Sequence, residues 1–333
     1  MSGETIMKMK RSKGTKKNKK YADAILVSDL HLTDRTPVSR TDDYIETQIE
    51  KLSFLSSLQG RNNNCPVLCA GDVFSYWKAS PWLCSIAFEN LPSNFVTIPG
   101  NHDLPMHSVG NYKKSALSLI DFVMDDFCVL GGENKNSHTI NNNMTVIGIA
   151  YGEFEGYKDS EFRFLDGVDG RKILMLHELI WPGNRPAWDK TGYSDLELLK
   201  KLHKHFDLIL TGHNHTGFVK EYKNTVLVNP GSMLRITADQ IDYQPCCYLY
   251  FAKDNKVEPI NFPIKAGVHN TDHIDRKKER ENRAVAYIER INRDKENIET
   301  DLSFRGNLEA FFKENKTPKK VRELIWENME AEI

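Results

Sequence analysis

Apolar residues in this chain fall in short unbroken runs separated by polar stretches, and the runs have the length of strands rather than helices. From Tyr21 onward they are AILVSD (24–29), PVLCAGD (66–72), NFVTIPG (94–100), MTVIGIA (144–150), KILMLH (172–177), FDLILTG (206–212), TVLVNPG (225–231) and CCYLYF (246–251). Continuous rather than alternating apolar character marks strands covered on both faces. Between the early runs Ile45, Ile49, Leu52, Leu55 and Leu58 recur at helical spacing, and the pattern predicts further helices over 81–91, 113–124 and 195–205. This strand–helix alternation predicts a layered α/β fold with much of the sheet parallel. The late strands at 225–231 and 246–262 follow one another with little helix between, which predicts a second sheet, mixed or antiparallel.

After about Gly267 the pattern changes. HIDRKKERENRAVAYIERINRDKENIE is dense in charge, with Ile288, Ile291 and Ile298 as a thin apolar stripe. Helical stretches near 303–314 and 318–330 follow, with Pro318 placed to open the last. Residues 21–266 therefore read as one catalytic-size domain. Residues 267–333 read as a charged helical extension, either packed on that domain or docking a partner.

The net charge of -1 hides an asymmetry, because residues 8–20, KMKRSKGTKKNKK, carry eight Lys or Arg and no acid. Residues 1–20 are expected to be a disordered basic tail that keeps the chain in solution or holds a phosphate backbone non-specifically. The tail lacks an apolar face for membrane insertion. A chain of 333 residues with 40% hydrophobic content can bury a sizeable core. No apolar run approaches the roughly 20 residues that cross a bilayer. Nor do the first 20 residues contain the apolar centre of a secretion signal, so a soluble cytoplasmic protein is expected. The six cysteines, at 65, 69, 84, 128, 246 and 247, form no CxxC pair. They are expected as reduced thiols, with Cys246 and Cys247 buried in a strand.

Chemistry collects at the strand ends. The first run ends in Asp29-Leu30-His31, the second in Gly71-Asp72 and the third in Gly100-Asn101-His102-Asp103. The fifth ends in His177 and the sixth in Gly212-His213-Asn214-His215. The carboxyl edge of an open α/β sheet is where ligands bind. One histidine at such an edge is ordinarily a hydrogen-bonded structural residue, but five deposits of Asp, Asn and His along one rim point to a shared site. Mixed oxygen and nitrogen donors without thiolate suit Mn, Fe or Zn rather than a structural zinc knot. Asp72 is a natural bridging carboxylate, since two cations roughly 3.5–4 Å apart need a shared anion.

The ordered set DxH, GD, GNHD, a lone His and GHxH, each after a strand, resembles the calcineurin-like metallophosphoesterase superfamily over about residues 23–262. The resemblance implies a four-layer αββα sandwich with a two-metal centre. It places Asp29, His31, Asp72 and His215 on one ion and Asp72, Asn101, His177 and His213 on the other. It also implies that His102 contacts the scissile phosphate and protonates the leaving oxygen, with Asp103 orienting its ring. Many members of the superfamily have Asp or His three residues after the second-motif Asp, where this chain has Ser75.

Finer details are similar to SbcD/Mre-type DNA nuclease subunits: GDVF followed by KASP, then IPGNHD, NPGSMLR (229–235) and the strand with the charged turn AKDNKVEPINFP. This implies an exo/endonuclease of DNA repair, recombination or replication, using Mn2+, with Fe, Zn or Mg as the other ions that suit the donors. Trp77 and Lys78 follow Asp72, and the loop after His177 supplies Trp181, Arg185, Trp188 and Lys190. Interleaved aromatic and basic side chains suit base stacking and backbone contact, or else simply pack these loops on the sheet. Such nucleases carry a mixed α/β capping domain that is replaced here by helices. The helical extension instead resembles the element that docks on an SMC-like ATPase, with Phe304, Leu308, Phe311, Phe312, Leu324, Ile325 and Trp326 as the contact. A homodimer is a further open assembly. The competing functions are a phosphoprotein or small-molecule phosphatase, a cyclic-nucleotide phosphodiesterase and a non-catalytic metal-site scaffold. The complete set of seven ligands plus His102 disfavours the scaffold.

Overall fold

The structure, a computed structural model, describes residues 20–132, 135–140, 143–296 and 304–330. The expected basic tail lies outside the described residues apart from Lys20, as does Ile298 of the apolar stripe. In chain order the first elements are β1 (Ala24–Val27), α1 (Tyr44–Arg61), β2 (Val67–Cys69), α2 (Pro81–Asn90), β3 (Phe95–Thr97), α3 (Ala116–Val123) and β4 (Phe127–Val129). Then come β5 (Ser137–Ile140), β6 (Met144–Ile149), β7 (Arg171–Leu176), β8 (Ile180–Trp181), β9 (Tyr193–Ser194), α4 (Asp195–Leu202) and β10 (Leu208–Thr211). β11 (Phe218–Tyr222), β12 (Thr225–Asn229), β13 (Cys246–Phe251) and β14 (Lys256–Asn261) follow, and then α5 (Asp272–Glu296), α6 (Phe304–Glu314) and α7 (Lys319–Glu330).

Two six-stranded sheets carry the fold, in the orders β14-β13-β1-β2-β3-β4 and β11-β12-β10-β7-β6-β5. β1 to β4 are parallel, as are β6, β7, β10 and β12; antiparallel strands close both edges of the second sheet and one edge of the first, whose other edge is the parallel β4. Side-chain alternation explains why the strands read as unbroken apolar runs. Ile25 and Val27 of β1 pack against Leu52 and Leu55 of α1 and Leu117 of α3. Their neighbours Ala24 and Leu26 face the other sheet, where they join Val96, Ile173, Leu208 and Val228. The far face of the second sheet buries Leu174, Ile209 and Leu227 against Leu198, Leu199 and Leu202 of α4. Helix, sheet, sheet and helix thus form four layers, the αββα sandwich that the motif pattern implied.

One expectation is corrected. The late strands do not share a second sheet: β12 pairs with β10, whereas β13 pairs with β1, setting Tyr248 opposite Leu26. The intervening segment crosses between sheets through a bridge from Ser28 to Ser232. Nearness in sequence does not reveal which sheet has an open edge. Strands β5 and β11 carry no apolar run because they lie at sheet edges and stay largely exposed. The helix predicted over 113–124 begins at Ala116, where the Ser115 side chain accepts the Ser118 N–H; 3-10 turns occupy 109–114.

The described residues fall into two compact units, one ending at Asn270 and one starting at Thr271. Within the second, Phe312 is buried with its ring 6.0 Å from Trp326, and the Arg305 guanidinium lies 5.0 Å from the Trp326 ring centre. Phe312 is therefore taken up inside this unit rather than offered on its surface, while Phe311 and Leu324 are exposed. All six cysteines are free thiols, and Cys247 is buried in β13. Among the described residues no helix is long and apolar enough to cross a membrane.

Candidate metal centre

The residues at the strand ends reach one rim because the backbone turns sharply there. Asp29, His31, Asp72 and His213 all have left-handed φ, at 50°, 48°, 53° and 73°. Non-glycine residues adopt this region at a cost, and such strain concentrates at functional sites. Gly71, at φ +88°, could not be replaced without collision, since a Cβ there would lie 2.6 Å from His177 Nδ1. Gly212 faces the same ring at 2.9 Å. The glycines of the GD and GH motifs thus make room for His177.

Backbone bonds lock the loops together. The His31 N–H donates to the Asp72 carbonyl (3.0 Å) and the His213 N–H to both Asp29 carboxylate oxygens (3.1 and 3.2 Å). The His102 N–H donates to Asp72 Oδ1 at 2.9 Å. Asp72 is thereby tied by its carbonyl to the first motif and by its carboxylate to the third.

The ligating atoms converge in overlapping groups: Asp29 with His31 and His215, His31 with Asp72 and His102, and Asp72 with His177 and His213. In the first, the Nε2 atoms of His31 and His215 are 2.9 Å apart and each lies 3.8 Å from Asp29 Oδ1. Asn101 Oδ1 sits 3.0 Å from His177 Nε2 and 2.9 Å from His213 Nδ1, and Asp72 Oδ2 is 3.3 Å from His177 Nε2. Asp72 Oδ2 is also 3.7 Å from His31 Nε2, so this carboxylate is common to both halves.

The electrostatics agree with a cation site. Burial holds the His31 imidazole down at about 3 and His213 at about 4, and it also lowers His215. Burial pushes the Asp29 carboxyl up. For Asp72 and His177 burial is outweighed by their mutual attraction, which lowers the acid and raises the base. His31, His213 and His215 are thus already neutral, as ligands must be, whereas the protons favoured on His177 and Asp29 are the ones a divalent ion would displace on binding. His177 Nδ1 lies 2.7 Å from the Ala70 carbonyl, so the proton belongs on Nδ1 and Nε2 faces the rim. The donors fit a divalent metal on these grounds.

The sequence profile of the calcineurin-like phosphoesterases matches residues 24–217, more than half of the chain. The chain belongs to the calcineurin-like phosphoesterase family. This phosphoesterase is a metal-dependent phosphoester hydrolase. No curated protein matches it. Among solved structures it is similar to a putative 5'-nucleotidase from Staphylococcus aureus, at 13% identity and TM-score 0.48, covering 78% of this chain but only 58% of that one. An archaeal phosphodiesterase matches at 14% identity and TM-score 0.37, over 72% of this chain and 99% of that chain. GAP50, described as the anchor in the inner membrane complex of Plasmodium, matches at 12% and 0.42, over 73% and 89%.

One expectation about the phosphoesterase's third motif changes. The Asp103 carboxylate does not orient the His102 ring: it is buried and accepts the N–H groups of Val73, Phe74 and Gly100 at 3.2, 3.0 and 3.0 Å. The ring is oriented by Ser75, whose carbonyl lies 3.0 Å from His102 Nδ1. A carbonyl can only accept, so Nδ1 carries the proton and Nε2 of the exposed imidazole points elsewhere. The Ser75 hydroxyl donates to the His31 carbonyl at 2.7 Å. Ser75 thus supports both histidines through atoms that side-chain type alone could not reveal.

The aromatic and basic residues occupy two loops. Trp77 is half-buried against Tyr76, and Lys78 is exposed. On the other loop Trp181 donates to Asp189 at 2.6 Å and meets the exposed Trp188 edge to face. Arg185 donates to the Gly192 carbonyl and, with Lys190 and His213, lines a cavity of about 500 Å³. Three further contributors escaped the sequence reading. Tyr151 packs on both His177 and His213. Asn214 donates to the Ile180 carbonyl and so ties the GHNH turn to this loop. The buried Asn229 donates to the Asn214 and Thr216 carbonyls.

Proposed function

We propose that this phosphoesterase is a two-metal DNA nuclease of SbcD/Mre type, with Mn2+ as its ion, acting in repair, recombination or replication. Asp29, His31, Asp72 and His215 would hold one ion, and Asp72, Asn101, His177 and His213 the other. Bound there, the ions supply positive charge to the phosphoryl oxygens and acidity to an attacking water. His102 presents Nε2 to the substrate and, with both ring nitrogens protonated, would deliver the Nε2 proton to the leaving oxygen and remain as the neutral Nδ1–H ring that the Ser75 carbonyl fixes. Asp103 holds the second and third motif loops in register.

The observation that carries this reading is an exposed imidazole beside a carboxylate shared by two groups of ligating atoms. The nuclease assignment is supported by Trp77 and Lys78 on one loop and Trp181, Arg185 and Trp188 on the other, which suit stacking and phosphate contact. One observation favours a second reading. The cavity beside His213 is lined by Glu155, Glu178 and Glu197 as well as Arg185 and Lys190, a poor run of charge for a long polyanion. It suits a compact phosphodiester or monoester. Single-stranded DNA, duplex ends, circles and para-nitrophenyl phosphate incubated side by side with Mn2+ separate the two. Strong monoester turnover with intact DNA would overturn the nuclease assignment.

For partners, α6 and α7 are proposed to dock on an SMC-like ATPase through a face including Phe311. Deleting residues 271–333 should abolish co-purification; retention of the ATPase by the shortened chain would exclude this role.

A further inference from the structure

A second cluster of charge lies away from the rim, and it has the opposite sign. Tyr44, Thr47 and Lys51 repeat along one face of α1. Opposite them stand Arg40 and Arg235, and a cavity of about 70 Å³ opens among Arg40, Thr47, Lys51 and Arg235. Arg40 is neutralised by Asp42, which accepts from its Nε and Nη2 at 2.8 and 2.6 Å. At the outer lip Glu50 pairs with Lys265 at 2.8 Å.

Among the described residues neither of the other two cations is ion-paired to a carboxylate, although Asp42 acts on Arg235 from a distance and Glu50 lines the same cavity. Lys51, 4% exposed, donates to the Met233 carbonyl at 2.7 Å, and its ammonium lies 5.2 Å from the Phe262 ring centre. Arg235, 6% exposed, donates to the carbonyls of Ile241 and Lys265 at 2.8 and 2.9 Å. A buried charge without a counter-charge is expensive. Orphaned polar atoms gather in the same place. Among the described residues the Tyr44 hydroxyl, whose ring lies 5.1 Å from the Arg40 guanidinium, is buried without a hydrogen-bond partner. Both ring nitrogens of His269 are buried unpartnered too, and His269 is lowered by burial and then by Arg235 and Arg40. Native structures leave few such atoms, and each calls for a reason.

We propose that Lys51, Arg235 and Arg40, with the Thr47 hydroxyl, form a binding site for one small tetrahedral oxyanion, inorganic phosphate or sulfate. The proposal is independent of which phosphoester is cleaved. Size selects the ligand: about 70 Å³ holds a few water-sized probes of roughly 10–15 Å³ each, too little for a nucleoside. Chemistry selects it as well, since a dianion supplies the paired charge that Lys51 and Arg235 lack. In its absence burial, with Arg235 and Arg40, lowers Lys51 to about 7, so the free site sheds repulsion by releasing a proton. The site also touches the rim's support. Lys51 holds the Met233 carbonyl, and the Met233 N–H donates to the Asp29 carbonyl at 3.1 Å.

The test uses the full chain, melted in inorganic phosphate, sulfate, AMP or chloride at matched ionic strength, with and without a chelator. Phosphate and sulfate are expected to raise Tm by about 4 °C at roughly tenfold excess over Kd, chelator or not, while AMP behaves as chloride. Lys51→Met and Arg235→Gln should each abolish that rise. Calorimetry of the unaltered chain at pH 8, in two buffers of different ionisation enthalpy, should show proton uptake on phosphate binding. That measurement decides the matter if the variants do not fold. Phosphate acting no better than chloride, a rise lost on chelation, or a rise surviving in Lys51→Met would each overturn the site.

Discussion

Asp103→Asn tests the division of labour in the third motif. The carboxylate accepts three backbone N–H groups, two from the loop after Asp72 and one from Gly100, and it is fully buried. An isosteric amide keeps one oxygen but turns an N–H toward at least one of those donors. Leaving a buried donor unsatisfied costs about 1–3 kcal/mol, so a loss of about 2 kcal/mol is expected. Part is offset, because burial also pushes the Asp103 carboxyl up, which means the ionised form is held at a cost the amide does not bear. In a unit of this size about 2 kcal/mol corresponds to a Tm lower by about 4–8 °C. The assay is a thermal melt in chloride buffer paired with kcat measured against pH well below the melt. If Asp103 braces the loops, Tm falls and the pH profile keeps its shape. An unchanged Tm with a displaced pH limb would refute the reasoning and return Asp103 to the His102 ring.

Three further outcomes follow from the same geometry. His102→Ala should retain the metal content of the parent, measured by plasma emission, while kcat falls about 10²–10⁴-fold; equal loss of metal would make His102 a ligand. Ser75→Ala removes only the 2.7 Å bond to the His31 carbonyl and leaves the carbonyl that holds His102, so about 1 kcal/mol of stability should go with kcat nearly unchanged. Lys51 has a folded pKa of about 7 against an ordinary 10.5, so between those values the unfolded chain binds the extra proton. Stability from urea melts in phosphate-free buffer should therefore rise with pH from about 7 toward 10.5, and Lys51→Met should flatten that rise. A parallel slope in the variant would show that Lys51 is not the group responsible.

Much of the architecture was legible because it is local. Strands buried on both faces must be apolar at every position, so Ala24–Val27 and Leu208–Thr211 announced themselves. The helix through Leu52, Leu55 and Leu58 did so by period. Edge strands such as Phe218–Tyr222 face solvent and left no run to read. The ligand set was legible for a chemical reason, since a metal selects Asp, Asn and His and the strand-end rule says where they gather. Backbone contributions carry no such signature: nothing in the identity of Ser75 tells that its carbonyl holds an imidazole.

By itself, the sequence determined the order of the buried strands and main helices and the residues able to ligate a cation. Only the tertiary structure decided that β13 completes the sheet of β1, that Asp103 braces loops and that Phe312 lies against Trp326. It alone gathered Lys51, Arg235 and Arg40 around one small cavity, with the unpartnered Tyr44 hydroxyl on the same helix as Lys51. The physical reason is common to these cases. Periodicity and side-chain chemistry act over a few residues along the chain, whereas sheet pairing, burial of charge and hydrogen bonds to carbonyls depend on which distant segments meet.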